Sequence, residues 1–441
     1  MRDLQSEAIS IIMAGIDAVK PDVVIRKKLS VSNNILSIGS EHFDLEQYRR
    51  IYVIGAGKAS ALMAREIENM LAEKIFYGVV SVKYGHSVPC RKIRILEAGH
   101  PVLDENGLSA TSQILQVAED AGEKDLIICL LSGGGSALLE KIPPGIPLEA
   151  VQKMFKMLLG SGANIEQINT VRKHLSLVKG GQLARAAYPA ECVSLIISDV
   201  IGDPLESIAS GPTSPDPGTF RDAWEVLERF GIHDNIPEIL RQHFKRGLAG
   251  EIAETPKPGD SIFQKVKNII LANNFGALEA ARQKARELDY NVLVLSSRIQ
   301  GEAREVGKVL AGLAQELLDS NIPLARPACI LLGGETTVTL RGEGKGGRNQ
   351  ELALSAFISM AGVKEPYLIL SCGTDGTDGP TDAAGGMAFP QLWEETNSRN
   401  LEPVKFLQEN NAYPFLEKTG GLIKTGPTGT NVMDIMAILV P

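Results

Sequence analysis

The residues best equipped for chemistry sit in five polar loops, most of which follow an apolar run. The turn Ser132-Gly133-Gly134-Gly135-Ser136 comes directly after Asp125-Leu126-Ile127-Ile128-Cys129-Leu130-Leu131. That run is short and rich in strand formers, as expected of a strand buried on both faces. The residues after the turn, Ala137 to Glu140, are expected to open a helix. Strand, glycines and helix start together suit phosphate, because the backbone can approach an anion closely and unpaired N–H groups point at it. Glycine-rich turns also form for local reasons. The motif alone leaves both readings open.

The second loop is Val53-Ile54-Gly55-Ala56-Gly57-Lys58-Ala59-Ser60. It is close to a dinucleotide fingerprint, but Ser60 stands at the third glycine position. The next strand closes on Ser81-Val82-Lys83, with no acid to hold a ribose hydroxyl. Lys58 falls at a helix start, where the partial positive charge disfavours a cation. An anion that the lysine must meet explains it better than local structure does. An exposed helix lysine is the plainer alternative.

Carboxylates dominate two further loops. Ser198-Asp199 and Asp203 bracket Gly202 at the end of a strand, an arrangement that suits Mg²⁺ held by one or two protein oxygens and substrate phosphate. Aspartates also cap turns through their own side chains. The loop from Ser371 to Gly385 carries Asp375, Asp378 and Asp382, but Gly386 occupies the twelfth position where a calcium loop needs an acid. It reads as a carboxylate-rich wall for a metal or for hydroxyls, or as a solvated turn. The remaining loop combines Gly333-Gly334-Glu335-Thr336-Thr337 with Gly346-Gly347-Arg348-Asn349-Gln350. Arg348 at a helix start offers a fixed fork of donors to phosphate or carboxylate. Neither Ser132 nor Ser136 lies in a G-x-S-x-G elbow, and the six histidines show no ligand spacing. His86 and His100 are candidates only for lining a pocket.

At 441 residues the chain is long enough for two or three domains at roughly 150 residues each. A net charge of −8 argues against nucleic acid as the main partner. The five cysteines are scattered without a C-x-x-C pair, which fits reduced thiols in the cytoplasm. No secretory leader and no membrane span is expected. The oligomeric state stays open, a homodimer being one option.

Strands alternating with helices predict a parallel, doubly wound sheet in the first half. Its elements are an opening helix over 4–19, strands at 50–54, 76–82, 93–96, 125–131 and 192–197, and helices at 58–73 and 107–120. Residues 147–188 read as helical around the polar centre Asn169-Thr170-Val171-Arg172-Lys173-His174. Polar helices over about 220–248 and a proline-containing stretch at 254–260 suggest a boundary, giving domains at 1–250 and 251–441. The second α/β domain is expected to hold strands at 267–272, 290–296, 328–332, 336–341 and 366–372, and helices at 275–288, 301–319 and 347–361. A last strand over 433–440 either stays there or returns to the first domain.

These loops, in this order and with Ile208-Ala209-Ser210-Gly211-Pro212-Thr213 between them, make the chain resemble the class II glycerate kinases. These are glycerate 2-kinases with a C-terminal MOFRL domain, and the likeness covers nearly the whole length. The resemblance implies a Rossmann-like first domain and a smaller mixed-sheet second one. It also implies ATP-dependent phosphorylation of D-glycerate to 2-phosphoglycerate, with Mg²⁺ or another divalent cation, in a cleft between the domains. Lys58 and Arg348 match the family's catalytic lysine and arginine. On this basis Lys58, Arg348 and Asp199 are expected to be catalytic. Gly55, Gly57, Ser132, Gly133, Gly134, Gly135, Ser136, Glu335 and Asn349 are expected at the nucleotide, and Asp203, Asp375 and Asp378 at the metal. Members of the family have often been labelled hydroxypyruvate reductases, and an NAD(P)-dependent reductase is the rival of another chemical class. Lys83, able to meet a 2′-phosphate, is its best point. A sugar-acid sensor without turnover is the non-enzymatic rival.

Overall fold

A computed structural model describes residues 3–441. The chain is of the α/β class and forms two compact units: Val24–Leu271, and the N-terminal segment up to Val23 joined to Ala272–Pro441.

The first unit begins with a small antiparallel sheet of β1 (Leu29–Ser32), β2 (Ile35–Ile38) and β3 (Glu41–Asp44), which had no sequence signal strong enough to predict it. Its main sheet contains β4 (Arg50–Ala56), β5 (Ile75–Lys83), β6 (Ile93–Ala98), β7 (Asp125–Leu131), β8 (Glu191–Ile197) and β9 (Val266–Ala272), in the order β6-β5-β4-β7-β8-β9. β4 to β8 pair in parallel. Every residue of β7 is buried, which explains its unbroken apolar run. The single charge, Asp125, sits at the amino end and takes the Arg50 guanidinium at 2.6 Å. Burial alone would raise its pKa, but the bonds from Arg50 and the Gly122 N–H hold it down to about 2. This acid locks β4 to β7 at the end of the sheet opposite the polar loops.

The second unit holds β10 (Asn291–Ile299), β11 (Ala328–Gly334), β12 (Leu368–Gly373), β13 (Gly385–Ala388), β14 (Leu422–Ile423) and β15 (Asp434–Val440), in the order β10-β11-β15-β12-β13-β14. β10 and β11 run parallel, while β15 is antiparallel to both β11 and β12. The last strand therefore lies in the middle of this sheet and does not return to the first.

Two expectations about the division at residue 250 change. β9 belongs to the first sheet. The opening helix Leu4–Ala18 buries Ile11, Ile12 and Ile16 in the second unit, where Gly15 lets it approach Ala277 so closely that a Cβ would lie 2.8 Å from that carbonyl. An amphipathic helix docks wherever an apolar face awaits it, and sequence position does not say where. The strand expected at 336–341 is a loop with one bridge, between Thr337 and Glu302. Among the described residues, no helix is long and apolar enough to cross a membrane.

Candidate active site

In the first sheet the chain runs from β4 outward to β6 and then returns to lay β7 on the other side of β4. The order of strands reverses between β4 and β7, and doubly wound sheets bind ligands beyond the carboxyl ends at such a reversal. The Gly57–Ser60 and Ser132–Ser136 loops emerge there. They are stitched together: the Lys58 N–H donates to the Gly133 carbonyl at 2.8 Å, and the Ala59 N–H to Ser132 Oγ at 3.1 Å. Ser60 Oγ lies 2.9 Å from the same Ser132 oxygen. Gly57, at φ +141°, would put a Cβ 2.2 Å from Ser132 Oγ. Gly134, at φ +82°, faces elsewhere: a Cβ there would lie 2.9 Å from the His100 ring and 3.4 Å from Lys58 Cγ.

Around Gly134 the ends of β4, β5 and β6 collect basic groups. The His86 ring bonds the Lys58 carbonyl at 3.2 Å. Burial, and then the charges of Lys58, Lys83 and His86, push the His100 pKa down to about 4. Four basic side chains near one glycine turn make a site suited to a multiply charged anion. Asp199 and Asp203 follow β8, both half-buried, with Asp203 on a left-handed backbone at φ +58°.

In the second unit the polar centre is a buried network at the amino end of helix Arg348–Ser359. Arg348 reaches Asp434 with two prongs, Nε to Oδ2 at 2.6 Å and Nη2 to Oδ1 at 2.8 Å. Its third nitrogen meets Glu335 at 3.1 Å. Asn349 donates to both Asp434 and Asp378, and its own oxygen accepts from Ser371. Asp434 is fully buried, and burial raises its pKa against the opposing pull of Arg348 and Asn349. For Arg348 burial works against the charge, but the Asp434 bonds prevail and its pKa is raised. A cavity of about 680 Å³ opens beside this network, lined by Arg348, Glu335, Asp378 and the Gly342–Gly347 loop.

The sequence of residues 7–245 matches the model of a family described as "Domain of unknown function (DUF4147)", and 328–434 matches the MOFRL family. A protein of Pyrococcus horikoshii named glycerate 2-kinase is 40% identical over 439 residues, covering 99% of this chain and 98% of that one. The chain belongs to the glycerate kinase family. A crystal structure of a glycerate kinase from Thermotoga maritima superposes with a TM-score of 0.87 at 40% identity, covering 99% of both chains. A relative in Agrobacterium vitis, 43% identical over 393 residues and covering 89% of this chain and 87% of that one, carries a provisional name as a hydroxypyruvate reductase.

Within this glycerate kinase fold several of the residues expected at the ligand make structural contacts. Gly55 lies inside β4, pressed on Leu130, and Gly57 and Ser132 bind one loop to the other. The Gly135 N–H is turned back onto the Ser132 carbonyl, and the helix after it lasts only from Gly135 to Leu138. Asn349 is buried with both ends of its amide bonded, and it holds the Asp434 carboxylate that Arg348 grips. Asp378 does not fit a metal ligand. Its oxygens accept the backbone N–H groups of Asn349 and Gln350 and both side-chain amides, capping the helix. Burial, opposed by those backbone bonds, places its pKa at about 6. Asp375 turns onto Thr377, whose N–H and hydroxyl both donate to Oδ1. Among the described residues no three His, Cys, Asp or Glu side chains converge as a metal cage.

Asp434 was missed. It hid as the first residue of an apolar strand, much as Asp125 opens β7. The two differ because β15 is antiparallel to its neighbours. Its first residue pairs in register with Gly334 and Gly373, at the carboxyl ends of β11 and β12. A charge opening an apolar run was the available signal, but strand direction decides which end of the sheet it reaches.

Proposed function

We propose that this protein transfers the γ-phosphoryl group of ATP to the 2-hydroxyl of D-glycerate, giving 2-phosphoglycerate and ADP. The observation that carries the reading is the set of basic side chains at the strand-order reversal: Lys58 and His100 beside Gly134, with Lys83 and His86 close enough to act on His100. Phosphoryl transfer asks a protein chiefly to position its reactants and neutralise developing charge. Lys58 and the backbone N–H groups of Gly133 and Gly134 are assigned to phosphate oxygens, and Arg348, held by Asp434 and Glu335, to the transferred group. Asp199 is assigned to the acceptor hydroxyl. The divalent cation, Mg²⁺ in the simplest case, is taken to arrive with ATP as part of the substrate, with Asp203 and Asp375 as the carboxylates proposed to meet it. The unpaired cysteines, four of them buried, support a cytoplasmic setting.

The hydroxypyruvate reductase reading is less favoured. Gly55 and Gly57 are used for strand and loop contacts, and Ser60 at the third position bonds Leu130 and Ser132. The test is ADP release from ATP and D-glycerate, with NMR of the product, beside nicotinamide absorbance with hydroxypyruvate. Turnover in the absorbance assay alone would overturn the proposal.

A further inference from the structure

The polar centre at 169–174 is not used by the mechanism above. Helix Ile165–Lys173 places Asn169 and Arg172 on one side, where Arg172 Nη1 donates to Asn169 Oδ1 at 3.0 Å. Ser210 Oγ donates to the same oxygen at 3.2 Å, and Ser136 Oγ lies 2.9 Å from Ser210 Oγ. Directions follow from this. The Ser210 hydrogen is committed to Asn169, so the Ser136 hydrogen points to Ser210. The chain therefore presents Ser136 as an acceptor at one end. At the other it presents donors, the Asn169 amide N–H pair and the remaining Arg172 N–H groups.

Two further features single this cluster out. Ala209 and Ser210 are buried, successive non-glycine residues at φ +51° and +61°, a strained backbone of the kind that gathers at binding sites. The loop packs against the glycine turn, where a Cβ on Gly135 would lie 2.7 Å from that of Ala209. Arg172 also lacks a carboxylate of its own among the described residues. It lies over the Phe155 ring at 5.0 Å, and Glu140, the acid whose charge it feels, is bonded to Lys179 at 2.8 Å. Burial accordingly lowers its pKa. A partly buried arginine with no acid bound to it is prepared for an anion supplied from outside.

We infer that Arg172 and Asn169 bind the carboxylate of the acceptor substrate while Ser136 accepts a hydrogen bond from its neighbouring hydroxyl, so that the cluster selects small 2-hydroxy acids. The inference rests on the kinase reading and gives it an acceptor subsite. It moves Ser136 from the nucleotide to the acid.

Asn169→Asp is the decisive variant. It keeps the Oδ1 acceptor for Ser210 and Arg172, keeps the shape, and replaces only the N–H donors with a like-charged oxygen. The KM for D-glycerate should rise by about 10- to 100-fold, with the KM for ATP unchanged, and the preference for glycerate over glycerol, which lacks the carboxylate, should collapse. Arg172→Lys, which retains charge but loses the fork, should give a smaller rise in the same constant. An unchanged glycerate KM, or equal rises for glycerate and ATP, would overturn the inference. If wild type failed to phosphorylate glycerate, the kinase reading would be what failed. Calorimetry of D-glycerate with wild type and Asn169→Asp would then still decide the subsite: binding lost in the variant supports it, equal binding or none to wild type refutes it.

Discussion

The guanidinium of Arg348 and the carboxylate of Asp434 form a two-pronged bridge at 2.6 and 2.8 Å, with the arginine side chain 32% exposed and the acid fully buried. One face of the arginine is thereby fixed from below while the other remains at the cavity. Such an arginine is oriented before any ligand arrives.

Replacing Arg348 by alanine should lower kcat on the order of a thousandfold if it stabilises the transferred phosphoryl group, by the measure of arginine fingers. Lysine should not restore the rate, because a point charge cannot reproduce the fork held by Asp434. Near-normal turnover in either variant removes Arg348 from that role.

Asp434→Asn keeps the size of the side chain but takes the charge from beneath Arg348. Stability should fall by about 1–3 kcal/mol in urea unfolding. The kcat should fall as well, with the KM for both substrates nearly unchanged. A loss of stability with full kcat would make Asp434 a purely structural anchor.

His100 makes folding sensitive to acid. Its folded-state pKa, near 4, lies below the unfolded value of about 6.5, so unfolding takes up a proton in that window. The stability it contributes is complete above pH ~6.5 and is lost as pH falls toward ~4. His100→Gln should flatten this part of the stability profile. ATP should raise the ring's pKa in an NMR titration, because bound phosphate offsets the charges of Lys58, Lys83 and His86. A ring that titrates identically with and without ATP would place the phosphates elsewhere.

Gly57→Ala would drive a methyl group to within 2.2 Å of Ser132 Oγ on a backbone at φ +141°. The two loops would have to separate, at a cost of about 2–4 kcal/mol in thermal or urea unfolding. An unchanged melting temperature would show that the loops yield freely.

Chelation separates folding from chemistry. With EDTA, turnover should stop while the melting temperature holds, since the cation is assigned to the nucleotide and the Asp378 oxygens are filled by N–H groups. A drop in melting temperature would instead reveal a resident ion.

Much of this fold was legible in the residues themselves. The apolar run 125–131 is the buried β7 with those limits, and the helices around 275–288, 301–319 and 347–361 lie where hydrophobic spacing placed them. The glycine and charge clusters lie in loops that follow the strands, where glycine permits close backbone approach. What each residue does within those loops was decided by tertiary pairing. Gly57 and Ser132 lie 75 residues apart, and only the parallel pairing of β4 and β7 presses them together. Asp378 and Asp434 look alike in sequence, each an acid beside glycine or apolar residues. The helix start at Arg348 captured the first as a cap, and the antiparallel course of β15 brought the second beneath the arginine. Local pattern specifies elements and residue types, while strand direction and register are long-range choices that settle which end of a sheet a side chain faces.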